Sequence, residues 1–315
     1  MNNEPNNLPE SSLALGPAAS TAAVRPTQPF LWSVRRELWE NRSLYLAPLV
    51  AAGVVLFGFL LTTFRLPELR RNALALEPKR MRTAIELPYD AAAMMIMFTV
   101  FIVAIFYCLD ALYGERRDRS VLFWKSLPVS DVTSVLAKAI VPVAILPLLT
   151  FVIVFATQLA MLLLSTAVLA PSGLAGTTWQ LLPWPRLLSI LAYGLMTSAL
   201  WEAPVYAWLL LVSSWAKRAA FLWAVLPWLA VSAIEKLAFD TTYFIRMLVN
   251  RLTGGFEEGF VVVHYPKQTH VPVVDRLTQF DPLRFFSSPG LWIGLVIAVA
   301  FLFAAIRFRR SRGPL

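Results

Sequence analysis

The sequence predicts an all-α polytopic membrane protein: six transmembrane helices, an N-terminal amphipathic interface helix before the first, and a small extracytoplasmic loop subdomain between helices five and six. Three observations predict it. Hydrophobic residues occupy 58% of the 315 positions and charged residues only 15%, well below the roughly 25% charged content of a soluble domain. The mean hydropathy is +0.63. The apolar residues also fall in long blocks separated by charged stretches, the pattern that a chain crossing a bilayer must have.

Residues 1–29 are rich in Asn, Pro, Ala and Ser and hold no Lys or Arg before Arg25. They lack the positive start and compact apolar core of a secretory signal and read as a disordered tail. The segment 30–45 follows. Its run FLWSVRRELWENRS puts Leu31, Val34 and Leu38 on one helical face, with Trp32 and Trp39 nearby and Arg35, Arg36 and Glu37 elsewhere. That pattern suits a helix lying in the membrane interface.

The spans are read within 46–306. Blocks 46–64 and 91–109 each contain 19 residues without a charge, about 28 Å of helix against a hydrocarbon core of about 30 Å. The third block, 139–170, is longer than one straight span needs and carries Pro142 and Pro147 near its start, so a kink or an interfacial extension is expected. The fourth, 187–214, holds one charge, Glu202, near its middle, and Lys217 and Arg218 separate it from a short fifth, 219–234. A connection so tight predicts antiparallel neighbours. The sixth, 290–306, runs into a basic tail, 307–315, with Arg307, Arg309, Arg310 and Arg312. Trp179, Trp184, Trp215, Trp223 and Trp292 cluster near block ends, where an amphipathic ring suits the headgroup layer. The segment 235–289 is long for a connector. It opens helix-like, is expected to break at Gly254-Gly255, and continues with the strand-like run FVVVHY.

Six spans put both termini on one side. With the termini inside, the cytoplasmic segments hold 15 Lys and Arg against 13 outside, and six of those 13 sit in the long fifth loop, where charge has little force on orientation. The compact basic C-terminus favours termini inside.

The net charge is +9. In a membrane protein anionic lipid headgroups are the partner this implies, at about 1 kcal/mol per basic side chain near them, rather than nucleic acid. The lone cysteine, Cys108, excludes an internal disulfide or a cysteine metal cluster and reads as a small packing residue. The sequence has no G-x-x-x-x-G-K-[ST], H-E-x-x-H or G-x-S-x-G motif, so no phosphate cradle, zinc protease or serine hydrolase is indicated. His264 and His270 are too few for a zinc site. No catalytic, cofactor-binding or metal-ligating residue is assigned. Glu202 has two readings. A mid-bilayer carboxylate costs about 3 kcal/mol unless neutralised, paired or hydrated, so it either contacts a translocation path or is hydrogen-bonded within the helix bundle.

The most informative stretch is the connector 110–138. Asp110 and Tyr113 precede GERRDRSVLFWKSLPVSD, residues 114–131, and Lys138 stands before the third span. The residues describe a charged turn leading into a short amphipathic helix that ends at Pro128. This stretch resembles the cytoplasmic loop of type-2 ABC transporter permeases, with Glu115 and Arg116 as the Glu-Arg pair and Ser120 in the small hydroxyl position. Leu122 matches the apolar helix, Leu127-Pro128-Val129-Ser130 the Leu-Pro-Val-Ser step, and Lys138 the entering lysine. Arg119 stands where many relatives have glycine. The resemblance covers most of the chain by layout and this loop alone by motif.

It implies a permease subunit without its own ATPase site, in the plasma (inner) membrane, with both termini cytoplasmic. A separate ATPase subunit, binding ATP and Mg itself, would dock on the loop 114–131, with Glu115, Arg116, Arg119, Ser120, Leu122, Leu127 and Pro128 as coupling residues. A second permease copy or a related permease would complete the pathway, and most relatives export. The alternative is an ATP-independent secondary carrier or channel. Against it, the spans hold one clear charge and show no obvious inverted halves.

Overall fold

In a bilayer, backbone N–H and C=O groups must be satisfied within their own segment, so long uncharged runs dictate helices. A computed structural model describes residues 28–118, 130–260 and 281–311, and nearly all of them are helical. Six helices are long and apolar enough to cross a membrane; the chain is a multi-pass membrane protein.

The helix α1 (Gln28–Glu40) leads into the first span, α2 (Ser43–Thr62), which tightens through a 3-10 turn at Thr63–Arg65 and continues as α3 (Leu66–Leu74). The second span, α4 (Pro78–Ala111), is followed by the single turn α5 (Tyr113–Arg117). The third comprises α6 (Asp131–Ile140), a π-helical turn at Val141–Ile145, and α7 (Leu146–Leu169). A short α8 (Ala175–Leu181) joins it to the fourth, α9 (Trp184–Trp215). The fifth is α10 (Ala220–Phe239); α11 (Tyr243–Gly259) and α12 (Pro282–Ser287) precede the sixth, α13 (Pro289–Ser311).

Every span outruns its apolar block, because helices continue past the lipid wherever charged side chains can reach water or each other. The second begins at Pro78, and Arg186 of the fourth pairs with its Glu86 at 2.7 Å. The kink expected in the third span is the π turn. Pro142 has no N–H to donate and the ladder widens there, Leu146 N–H reaching Val141 O. Between the fourth and fifth spans the turn is as tight as expected: Ala219 sits in the left-handed region at φ 48°. The two helices then run antiparallel, with ring pairs Trp215–Trp223 at 5.1 Å and Trp208–Trp228 at 5.9 Å.

The fourth span is the axle of the bundle. In its most apolar stretch 72% of residues are buried inside the chain, against 11% for the fifth. Ala203 and Ala207, one turn apart, meet Ala298 of the sixth span, so these backbones approach closely, as small residues permit in membranes. The main core joins Leu44, Ala104, Cys108, Leu146, Tyr206 and Leu210 from the first four spans. Cys108 is wholly buried there, a packing residue.

One expectation is corrected. The helix α11 does not break at Gly254-Gly255 but runs through to Gly259. It lies against the fourth span: Trp201 Nε1 donates to Asn250 O at 2.9 Å and the Arg251 guanidinium stacks 4.3 Å from the Trp201 ring. Glycines cost a helix about 1 kcal/mol each, but here they permit that contact. A Cβ on Gly255 would come 2.7 Å from Ser198 Cα, and one on Gly259 2.8 Å from Thr197 Cγ2. Gly255→Val should therefore lower stability by about 1–3 kcal/mol, read as a thermal-unfolding shift in detergent. Gly53→Ala, with open space around it, should be neutral or stabilising. The strand-like run after Phe260 lies outside the described residues.

Helix α1 turns Glu37 inward beside Leu38: Glu37 is 2% exposed, whereas Leu31, Trp32 and Trp39 are each more than 60% exposed. The helix is turned toward partners that can satisfy a carboxylate, and these partners define the site.

Candidate functional site

Four separate segments deliver ionised side chains to one end of the bundle. Arg36 and Glu37 come from α1, Glu115 from α5, Asp131 and Lys138 from α6, and Arg309 from the last turns of α13. Lys138 Nζ lies 2.7 Å from Glu37 Oε1 and 3.2 Å from Glu115 Oε1. Arg36 reaches Glu115 Oε1 at 2.8 Å, and Arg309 spans Glu115 Oε2 at 2.5 Å and Asp131 Oδ1 at 3.0 Å. Tyr107 donates to Glu37 Oε2 at 3.1 Å. Glu37, Glu115, Lys138 and Arg309 are all buried. At the rim Glu40 meets Arg36 at 3.3 Å; burial pushes its carboxyl up, and the Arg36 charge opposes that shift.

Local sequence sets each position. The second span stops at Leu112, and the N–H groups of Leu112 and Tyr113 both donate to Ser213 Oγ of the fourth span, at 3.0 and 2.8 Å. This capping starts α5 and turns Glu115 inward. Arg116 points the other way along the same turn and donates to the carbonyls of Ser213 and Ala216, the negative end of the fourth helix. On the far side of the connector, Ser130 caps α6 by accepting from Thr133 N–H at 3.1 Å, and Asp131 follows in the first turn. The Ser130-Asp131 step is therefore a helix start, and Lys138 sits just ahead of the π turn.

No protein-family model, no curated protein and no solved structure matches the chain. The site is read from its own chemistry. It brings together basic and acidic groups in balance, with no group of three or more metal-ligating side chains that could hold an ion among the described residues. What such a cluster can do is mechanical. Buried ion pairs add little net stability over apolar packing, but removing one partner strands a charge, so the four segments are tied together at this end of the bundle. Asp118 and Ser130, the described residues on either side of 119–129, follow and precede these ion-paired turns.

Of the residues singled out in the sequence, Glu115 and Arg116 are in the cluster or beside it, buried inside the chain. Arg119, Ser120, Leu122, Leu127 and Pro128 lie outside the described residues, as do His264 and His270. Glu202 is elsewhere, midway along the fourth span. Its carboxylate accepts from the Tyr206 hydroxyl one turn further on in its own helix, and no ion pair reaches it among the described residues.

Sequence reasoning missed Glu37, Arg36, Tyr107, Asp131, Ser213 and Arg309. One local signal was available: Glu37 follows Val34 by three residues and flanks the stripe containing Val34 and Leu38, so it shares their side of the helix.

Proposed function

We propose that this chain is the membrane-spanning permease subunit of an ATP-driven ABC transporter of the type-2 class, an exporter, coupled to a separate ATPase subunit through the loop 114–131. In this reading ATP and Mg bind the partner. The ionic cluster faces the cytoplasm with both termini, in the plasma (inner) membrane, and the segment 235–289 forms a subdomain on the outer face. Helix α1 lies in the membrane interface. Supporting that placement, Leu31, Trp32 and Trp39 face outward and the Arg35 guanidinium stacks on the rings of Trp32 and Trp39 at 5.7 and 4.6 Å. The exposed fifth span leaves an apolar face for a second permease copy or a related permease.

One observation carries the reading: both stems of the 119–129 connector are clamped to α1 and to the second, third, fourth and sixth spans. ATP can shift a pathway only by contacts that differ between two states, and such a shift needs a rigid element to transmit it. A push on the connector passes through Glu115 to α1, Lys138 and Arg309. Arg116 passes it to Ser213 and Ala216, beside the turn into the fifth span.

The complex should be isolated from native membranes and its subunits identified by mass spectrometry. A soluble companion bearing G-x-x-x-x-G-K-[ST] is expected in fixed ratio, with nucleotide hydrolysis absent from the chain alone. Hydrolysis or uphill transport by the purified chain would contradict the proposal.

Glu202, in this reading, lines the path. Glu202→Gln should lower transport at unchanged assembly, measured in proteoliposomes; unchanged transport assigns it to its hydrogen bond with Tyr206.

A further inference from the structure

At the end of the bundle opposite the ionic cluster, a cavity of 430 Å³ opens between the first span with α3, the second span and the third. Its volume lies within the roughly 300–1,000 Å³ of small-molecule sites. The floor is apolar and buried, formed by Phe59, Ile85, Ala92 and Met161. The mouth carries exposed residues of the membrane-crossing helices, among them Met95, with Leu69 of α3. The Tyr89 hydroxyl and Ser165 Oγ also line it but bond to each other at 3.2 Å.

One charge stands in this lining. Arg70 is 5% exposed. Its Nη2 donates to Thr178 Oγ1 at 3.1 Å, and its Nη1 is buried without a hydrogen-bond partner among the described residues. No carboxylate pairs with it there. A guanidinium has five donors and no acceptor, and a buried one left unpaired is costly. A ligand that supplies an anion at Arg70 and an apolar chain along the floor would satisfy both parts of the cavity. Free phosphate would satisfy only the first.

We propose that this cavity binds an anionic phospholipid, its phosphate on Arg70 and one acyl chain against Phe59, Ile85 and Met161. The ligand enters sideways from the bilayer through the mouth between α3 and the second span. The site is independent of the ATPase-coupled reading, since it uses none of the residues of the ionic cluster.

The test uses the full chain in nanodiscs containing phosphatidylglycerol or phosphatidylcholine with a photoactivatable diazirine on one acyl chain. The glycerol lipid should label the floor around Phe59, Ile85 and Met161. Arg70→Gln should reduce that labelling about tenfold or more, the effect of one charge-assisted hydrogen bond, and Arg70→Lys should keep most of it. Phosphatidylcholine, whose phosphate is offset by the choline cation, should label the floor more weakly and lose less on Arg70→Gln, and millimolar inorganic phosphate should leave labelling by phosphatidylglycerol intact. Equal labelling of wild type and a folded Arg70→Gln variant would overturn the proposal. So would suppression by inorganic phosphate alone, which would mark a simple anion site. If Arg70→Gln does not fold, the wild-type labelling map decides: labels spread over the lipid-facing surface, rather than gathered on the floor, reject the site.

Discussion

Lys138→Met should destabilise the protein by about 3–5 kcal/mol, the cost of stranding a buried charge. Lys138 is 2% exposed and, together with Arg36, is a cation shared by Glu37 and Glu115. Methionine fills much of its volume, so lost packing contributes little; the excess negative charge left buried on Glu37 and Glu115, which then share Arg36 and Arg309, contributes most. The check is the unfolding midpoint in detergent, with the double variant Glu37→Gln/Lys138→Met alongside. Removing one charge of each sign should recover a substantial part of the loss, because residues in one network are not additive. Arg117→Gln is the control. Arg117 pairs with Asp118 at the exposed surface, where ion pairs contribute little, and its midpoint should not move. A loss after Lys138→Met no larger than the control's would mean that the cluster does not hold the end of the bundle together.

Deleting Ser120–Leu127 should abolish association with the proposed ATPase subunit while leaving membrane insertion and the unfolding midpoint close to wild type. The two effects separate because the clamped residues lie outside the deletion. Glu115 and Arg116 precede it, and Ser130, Asp131 and Lys138 follow it. Co-purification of the two subunits reads the first effect and thermal unfolding the second. Retained co-purification counts against the loop as the docking element. A collapse in stability would mean that the removed residues are structural.

The six apolar blocks were legible because hydropathy over about 20 residues reports bilayer crossing directly. Their ends were not. Charged residues such as Arg80 and Glu86 stay helical beyond the lipid, and proline effects depend on context: Pro142 gives a π turn, while Pro48 is taken up within the first span without a break. Gly254-Gly255 reads as a breaker by local propensity, but packing on Ser198 and Trp201 overrides it. The ionic cluster was the least legible part. Glu115 and Arg309 are 194 residues apart, and Glu37 and Lys138 are 101; a local pattern does not carry such pairings. Glu115, Arg116 and Lys138 could be singled out only because they fall in one motif-like stretch. Their burial inside the chain, rather than exposure toward a partner, became visible only with the fold.

Labelling from the two sides of the membrane tests the central claim most directly. Asp118 is 63% exposed at the stem of the connector, and the native Cys108 is buried, so Asp118→Cys offers one accessible thiol. A membrane-impermeant maleimide should leave it unlabelled in intact cells and label it once the cytoplasmic face is opened. Labelling in intact cells would put the ionic cluster and its connector on the outer face, where no ATPase could reach them.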